Sequence, residues 1–315
     1  MKITRKRFIR QTLASLIGLS FIPKIIWSRN ITGSPPKNPY ASTHPRSTSP
    51  GRGITLPLTR PLGNTGMEVT PLGFGASRTQ EPAVLKAALD QGINFLDTGR
   101  SYANGQNEVM IGKTLKGIRQ QYIIQSKLKI DWNDGKATPD ELRRQMESSL
   151  EKSLEALQTD YIDIMLLHGI RDEEILKDET IRNVFTEMKN KGAIRACGFS
   201  SHIKHLNVLR EANTDHFFDV AMVPFNPFGG FKHSQSGWTT SWNQQALIKE
   251  MKKARSNGTG IVAMKTCSGG THAFKPQEKP SYPGAVKWVL SHDFVDTSAV
   301  AMASFQEIRE HTQKE

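Results

Sequence analysis

Chemistry in this chain is most readily assigned to a phenol, an ammonium, a carboxylate and an imidazole that stand at or just beyond the ends of three short apolar runs. One run ends Asn94-Phe95-Leu96-Asp97 and continues to Tyr102; the next reads Tyr122-Ile123-Ile124-Gln125-Ser126-Lys127, and the third Ile164-Met165-Leu166-Leu167-His168. A free phenol titrates at about 10, too high to hand over protons readily at neutral pH, and an adjacent ammonium favours phenolate and draws that value down. Lys127 beside Tyr102 would do this, with Asp97 holding the ammonium in place and limiting the cost of burying it. His168 would hydrogen-bond an oxygen whose charge is changing and fix its direction. Each residue also has a plainer reading: Asp97 and Lys127 as an ion pair plugging a cleft, His168 as a satisfied core histidine, Tyr102 as a loop anchor.

The elements around these residues alternate. After a hairpin signal at 58–62 and 67–70, joined by the turn Gly63-Asn64-Thr65-Gly66, short apolar runs at 72–76, 93–96, 122–125, 161–167, 193–199, 220–223, 261–264 and 298–301 predict eight strands. Amphipathic stretches at 82–91, 107–117, 139–157, 180–191, 203–212, 241–256, 282–291 and 305–313 predict the helices. Strict alternation implies parallel strands joined by right-handed crossovers. The expected fold is an α/β protein, a (β/α)8 TIM barrel with an N-terminal hairpin, truncated at the last helix. A doubly wound open sheet would advertise a G-x-G-x-x-G turn, which Gly73-Phe74-Gly75-Ala76-Ser77-Arg78 does not complete. In a barrel the C-terminal strand ends share one mouth, so Asp97, Tyr102, Lys127 and His168 should converge there.

Asp97 with Tyr102 five positions on, Lys127 after a third strand and His168 after a fourth resembles the aldo/keto reductases. The likeness runs over residues 60–312 and includes Gly73-Phe74-Gly75, Asp97-Thr98-Gly99-Arg100-Ser101-Tyr102, Gly105 followed by Asn107-Glu108, and the segment from Gly192 that ends Gly198-Phe199-Ser200. It implies reduction of an aldehyde or ketone, or the reverse oxidation, by hydride transfer from a nicotinamide cofactor, NADP(H) before NAD(H), without metal. A carbonyl that accepts hydride develops charge on oxygen, so Tyr102 would be the general acid, tuned by Lys127 and Asp97, with His168 orienting the oxygen.

Where relatives grip the nicotinamide amide with Ser-Asn and Gln and stack a Tyr on the ring, this chain has Ser200 and Ser201, then Met222 and Met264. Methionine offers no amide hydrogen bond, only packing. Ser200, Ser201 and Lys265 are the expected cofactor contacts, Lys265 on a pyrophosphate as a point charge. Ser304 and Arg309 fall where relatives bind the adenosine ribose phosphate, Ser304 being equally placed to cap the last helix. The iron-sulfur tail with clustered cysteines found in some similar exported members is not expected, since the two cysteines, Cys197 and Cys267, lie apart in strand-like stretches and read as small buried hydrophobes. His202, His205, His233 and His272 have no carboxylate or cysteine at metal-ligand spacing and read as surface or loop residues. The rival from another class is a noncatalytic barrel, a binding or docking subunit of an exported redox assembly whose nicotinamide contacts have eroded.

The 315 residues, 37% apolar and 23% charged, suit a globular domain and exclude collagen, coiled coil and a polytopic membrane protein. The net charge of +12 is localised: of 42 Lys and Arg, 11 lie in residues 1–60, which hold no acid, so the other 255 residues carry 31 bases against 30 acids. A near-neutral body argues against a nucleic-acid partner, because counterion release needs clustered charge on the folded part. Residues 1–30 begin with Lys2, Arg5, Lys6, Arg7 and Arg10 and continue with an apolar stretch at 13–22 closed by Pro23 and Lys24, the anatomy of an export signal. Ten helical residues rise about 15 Å, half of a hydrocarbon core of roughly 30 Å. Thr4-Arg5-Lys6-Arg7-Phe8-Ile9-Arg10 resembles a twin-arginine leader with Lys6 at the second arginine, which implies export in folded form to the periplasm, the export machinery as a partner and a periplasmic redox partner to recycle the cofactor. An uncleaved leader acting as anchor, or a basic helix on a membrane surface, are the alternatives. Residues 31–60 read as a linker, seven of the sixteen prolines falling between 31 and 61, and residues 61–315 as the barrel. Mass spectrometry of protein purified natively from the periplasm should show a co-purifying nucleotide and the mature N-terminus; lipid binding that vanishes when residues 1–30 are deleted would mark a surface helix instead.

Overall fold

The computed structural model describes residues 58–132, 135–233 and 237–313, all within the compact unit Ile54–Glu315. The leader at 1–30 and the linker as far as residue 57 lie outside the described residues. The first hairpin, β1 (Arg60–Pro61) and β2 (Glu68–Val69), is antiparallel and shorter than its sequence signal. The barrel strands are β3 (Leu72–Gly75), β4 (Phe95–Asp97), β5 (Ile123–Leu128), β6 (Ile162–Leu167), β7 (Ile194–Ser200) and β8 (Val220–Pro224). After a second hairpin, β9 (Gly230–Lys232) with β10 (Thr239–Ser241), the ring is completed by β11 (Gly260–Met264) and β12 (Thr297–Ala301). The eight barrel strands close in the order β11-β12-β3-β4-β5-β6-β7-β8, every neighbour parallel.

Strands such as β6, β8 and β11 are buried at every position, because helices cover one face and the barrel interior the other; hence they read as unbroken apolar runs. The covering helices are α1 (Pro82–Asp90), α2 (Gln106–Thr114), α3 (Pro139–Leu157), α4 (Glu179–Asn190), α5 (His205–Ala212), α6 (Gln244–Ser256), α7 (Tyr282–Leu290) and α8 (Phe305–Thr312). The start of α3 is set by a capping box: Glu141 N–H donates to Thr138 Oγ1 at 3.3 Å while Thr138 N–H donates to the Glu141 carboxylate at 2.8 Å. Closure demands a glycine between β7 and β8, since a Cβ at Gly198 would lie 2.1 Å from the Val220 carbonyl oxygen. Among the described residues no helix is long and apolar enough to cross a membrane.

The interior of the ring is filled by Phe95, Ile164, Leu166, Ala196, Val220, Met222, Val262 and Met264, joined by Leu62, Met67 and Val69 of the first hairpin. The hairpin therefore plugs the N-terminal end of the barrel. It is held there by Asn64 N–H on the Gly258 carbonyl (2.7 Å) and by the Arg60 guanidinium on the Leu290 and Val295 carbonyls (2.8 Å each). Buried carboxylates lock the same end. Asp163 accepts from Arg119 (2.7 Å), the Ile124 N–H (2.9 Å) and Arg195 (2.8 Å), and Asp296 accepts from Arg255 (2.7 Å) and the N–H groups of Ile261 (2.9 Å) and Gly63 (3.1 Å). The β9–β10 hairpin has no counterpart in the sequence reading, because its polar, glycine-containing strands carry no apolar alternation. Asp163→Ala, which strands the buried Arg119 charge, should cost about 3 kcal/mol; an unchanged urea midpoint would show that this network contributes nothing.

Candidate active site

Asp97 ends β4, and the segment after it first continues the pairing with β5: Thr98 N–H donates to the Gln125 carbonyl (2.8 Å) and Arg100 N–H to that of Lys127 (3.3 Å). The chain then turns through Tyr102 into three consecutive left-handed residues, Ala103 (φ 47°), Asn104 (φ 52°) and Gly105 (φ 86°). Two of these are not glycine, so the turn is strained and must be held from outside. Gly105 cannot be replaced freely, because a Cβ there would overlap the Arg100 guanidinium. That guanidinium pairs with the fully buried Glu108 at 2.7 Å, and Glu108 also accepts from Ser126 Oγ at 2.6 Å. Asn107 accepts from Thr98 Oγ1 (2.7 Å) and donates to the carbonyls of Ala76 and Thr79 (2.7 Å each). Gly105, Asn107 and Glu108 thus pin the loop that presents Tyr102.

Lys127 lies on β5 and is 1% exposed, its Nζ donating to Asp97 Oδ1 and to the Thr98 carbonyl at 2.5 Å each. The ammonium sits 4.7 Å from the centroid of the Tyr102 ring, and that ring meets His168 edge-on, with centroids 5.7 Å apart at 80°. All four sequence-identified residues therefore meet at the C-terminal mouth. Two more belong with them. Gln125 Nε2 donates to Asp97 Oδ1 at 2.7 Å and to Met222 Sδ at 3.4 Å, and Ser101 Oγ lies 3.2 Å from His168 Nδ1. Gln125 could have been found from its spacing, two before Lys127 on the same face of the strand.

The electrostatics correct one expectation. Burial raises the Tyr102 phenol above its ordinary value near 10, outweighing the pull of the Lys127 ammonium, while Asp97 adds to the rise. For Lys127 burial disfavours the charge, yet Asp97 and Tyr102 more than compensate and the ammonium titrates above its usual value. Burial, helped by the Lys127 charge, takes His168 down to about 3, so its imidazole is neutral.

The expected cofactor contacts are less uniform. Ser200 Oγ accepts from Gly169 N–H (2.9 Å) and donates to the Leu167 carbonyl (3.3 Å), and Ser201 Oγ donates to the Ile203 carbonyl (2.9 Å). Both serines are buried, their hydroxyls bound to backbone. Met222 and Met264 point into the barrel interior. Lys265, just past β11 with φ 58°, sits 5.4 Å from the Phe231 ring centroid and has no ion-pair partner among the described residues; burial lowers its pKa. Ser304 caps α8 by accepting from Glu307 N–H at 3.1 Å, and Arg309 is exposed on that helix.

Of the other histidines only His205 departs from the loop reading, opening α5 as a buried residue, while His202, His233 and His272 lie outside the helices and strands. His202 is largely enclosed, and burial together with Lys265, His168 and Lys127 takes it to about 3. His205 is buried edge-on against Trp242, without a hydrogen-bond partner for either ring nitrogen among the described residues, and burial lowers it to about 4. His233 stacks on Trp238 and His272 meets Phe228 edge-on. Cys197 is buried, and burial raises it to about 12; Cys267 is partly exposed. Among the described residues no group of three or more His, Cys, Asp or Glu is placed to hold a metal ion.

Fold and site together define a closed parallel (β/α)8 barrel with an acid–base cluster at its C-terminal mouth. The chain belongs to the aldo/keto reductase family, whose family model matches residues 71–285. It is similar to the aldo-keto reductase YhdN of Bacillus subtilis, 32% identical over 181 residues that make up 53% of each chain. The chain spans about half the length of the curated relatives it matches. Among solved structures it resembles the holo form of the Bacillus halodurans aldo-keto reductase AKR11C1, with a TM-score of 0.64, 25% identity, and coverage of 81% of this chain and 89% of that one. In fold it also resembles a Klebsiella pneumoniae aldo/keto reductase solved with NADP and acetate, with a TM-score of 0.59, 21% identity, and coverage of 80% and 88%.

The buried histidines make stability depend on pH. His168, His202 and His205 titrate near 3 to 4 when folded against about 6.5 unfolded, so between those values the unfolded chain binds more protons. Stability should be full above pH 6.5 and fall as pH drops toward 4. His205→Leu should flatten that slope in urea titrations at stepped pH; an unaltered slope would remove His205 from the account.

Proposed function

We propose that this chain reduces a small aldehyde or ketone, or runs the reverse oxidation, with NADP(H) as hydride source and Tyr102 as general acid. The observation that carries the reading is the buried Lys127 ammonium, held by Asp97 and the Thr98 carbonyl against the Tyr102 ring, with His168 edge-on beside that ring. A bound nicotinamide supplies hydride to the carbonyl carbon. The phenol, kept protonated through neutral pH by burial, donates its proton to the carbonyl oxygen as charge develops there. Lys127 stabilises the phenolate left behind, and Asp97 and Gln125 hold that lysine and its counter-ion in register. With Ser101 at Nδ1, neutral His168 is left with Nε2 to hydrogen-bond the carbonyl oxygen and fix its direction.

The residues present fit the anionic part of a nucleotide. Lys265 is a partly enclosed cation without a carboxylate partner among the described residues, and Arg309 stands exposed on the last helix. The nicotinamide amide finds less here, with the Ser200 and Ser201 hydroxyls bound to backbone and Met222 and Met264 without amide groups. This favours a second reading, the docking subunit of an exported redox assembly. Titration with NADPH separates the two: quenching of tryptophan fluorescence at submillimolar concentration supports the enzyme, and its absence the docking subunit. Arg309 favours NADPH over NADH only if it meets the ribose phosphate, which Arg309→Ala would test in the same titration. The basic and apolar pattern of residues 1–30 supports export, in folded form with cofactor aboard, to a periplasmic site where another electron donor recycles it.

Tyr102→Phe should lower turnover of an aldehyde panel with NADPH by about 10²- to 10⁴-fold without changing the unfolding midpoint. The wild-type reduction rate should hold through neutral pH and fall only above about 10, where the phenol ionises; full activity of the variant would remove Tyr102 as the acid.

A further inference from the structure

A cleft of about 270 Å³ is lined in part by His168, and its charged lining residues carry one sign only. It is lined by Ser101 and His168, by the apolar Ile130 and Trp238, and by Lys129, Arg171 and His202. No lining residue among those described is acidic. Lys129 and Arg171 make no ion pair among the described residues, whereas the arginines at 100, 119, 143, 182, 195 and 255 are each paired with a carboxylate. The Lys127 ammonium near His168, by contrast, is neutralised by Asp97. Uncompensated positive charge on the rim of a concave, partly apolar site focuses potential into it and is met best by an anion. A guanidinium and an ammonium lining one cleft suit the oxygens of a carboxylate or phosphate.

Resting on the reductase reading above, we propose that the substrate is a small carbonyl compound carrying an anionic group, its carbonyl oxygen at His168 and its anion against Lys129 and Arg171. Ile130 and Trp238 flank the short carbon segment between the two ends. His202 lines the same cleft. The shared chemistry is the anion; a carboxylate and a phosphate are separated by experiment.

Full-length protein with NADPH is assayed on matched pairs: 4-carboxybenzaldehyde against 4-methylbenzaldehyde, and glyceraldehyde 3-phosphate against glyceraldehyde. At least one pair should show kcat/KM about tenfold or more in favour of the anion, carried by KM and shrinking with added salt; the larger ratio identifies the anion. In the double variant Lys129→Gln, Arg171→Gln that ratio should fall to near one. Ratios near one in both pairs of the wild type, or a ratio that survives the double substitution, overturn the inference while leaving the reductase reading intact. If no aldehyde is turned over, the reductase reading fails, and the anion site is judged alone by titrating tryptophan fluorescence with 4-(hydroxymethyl)benzoate against 4-methylbenzyl alcohol. Selective binding of the benzoate that is lost in the double variant sustains the site. Equal binding, or none, rejects it.

Discussion

A lysine with 1% of its surface exposed cannot carry its charge at the mouth of a barrel unless something nearby compensates, and the architecture around Lys127 follows from that requirement. Asp97 supplies the countercharge and the Thr98 carbonyl a second acceptor, both from the end of β4, the strand next to that of the lysine. Gln125 steadies the carboxylate from two residues earlier on the same strand face. Moving β4 by one residue against β5 would turn Asp97 to the other face and leave the ammonium unpaired, so strand register and site chemistry are one constraint.

The same constraint explains why the loop after β4 is so heavily tied. Tyr102 must lie over the ammonium, and the chain achieves this through left-handed backbone at Ala103, Asn104 and Gly105. Strain of this kind persists only where surroundings over-determine it. Here they do so through the Arg100–Glu108 pair, the Ser126 hydroxyl and the three hydrogen bonds of the Asn107 side chain. Asn107 and Glu108, part of the motif that follows Gly105, serve to hold the phenol in place.

The two ends of the barrel divide the work. At the N-terminal end Asp163 and Asp296 accept from guanidinium groups and backbone N–H groups at once, and the hairpin seals the interior with Leu62, Met67 and Val69. Those carboxylates are fully satisfied and bury no chemistry. At the C-terminal end, by contrast, polar groups are left with capacity to spare: Lys129, Arg171 and Lys265 without carboxylates and His202 with an unpartnered nitrogen among the described residues. Satisfied charge at one end and unsatisfied charge at the other is how a barrel of this kind separates stability from activity.

The amino-acid sequence by itself determined the alternation of elements, because the period of apolar residues is a local property: all eight barrel strands fall within a few residues of the runs that announced them. It also determined that Asp97, Lys127 and His168 would share a mouth, since each ends a strand of a parallel ring and such ends are coterminous. The tertiary structure decided what depends on sums over distant residues. Whether Tyr102 titrates above or below 10 is a contest between burial and an ammonium, and only the packed loop shows that burial wins. Whether Ser200 and Ser201 offer hydroxyls to a ligand depends on carbonyls at Leu167 and Ile203 that happen to lie within reach. That His202 and His205 are enclosed, and that Lys129 and Arg171 face a cleft without acids, are likewise facts of three-dimensional neighbourhood that no local pattern encodes.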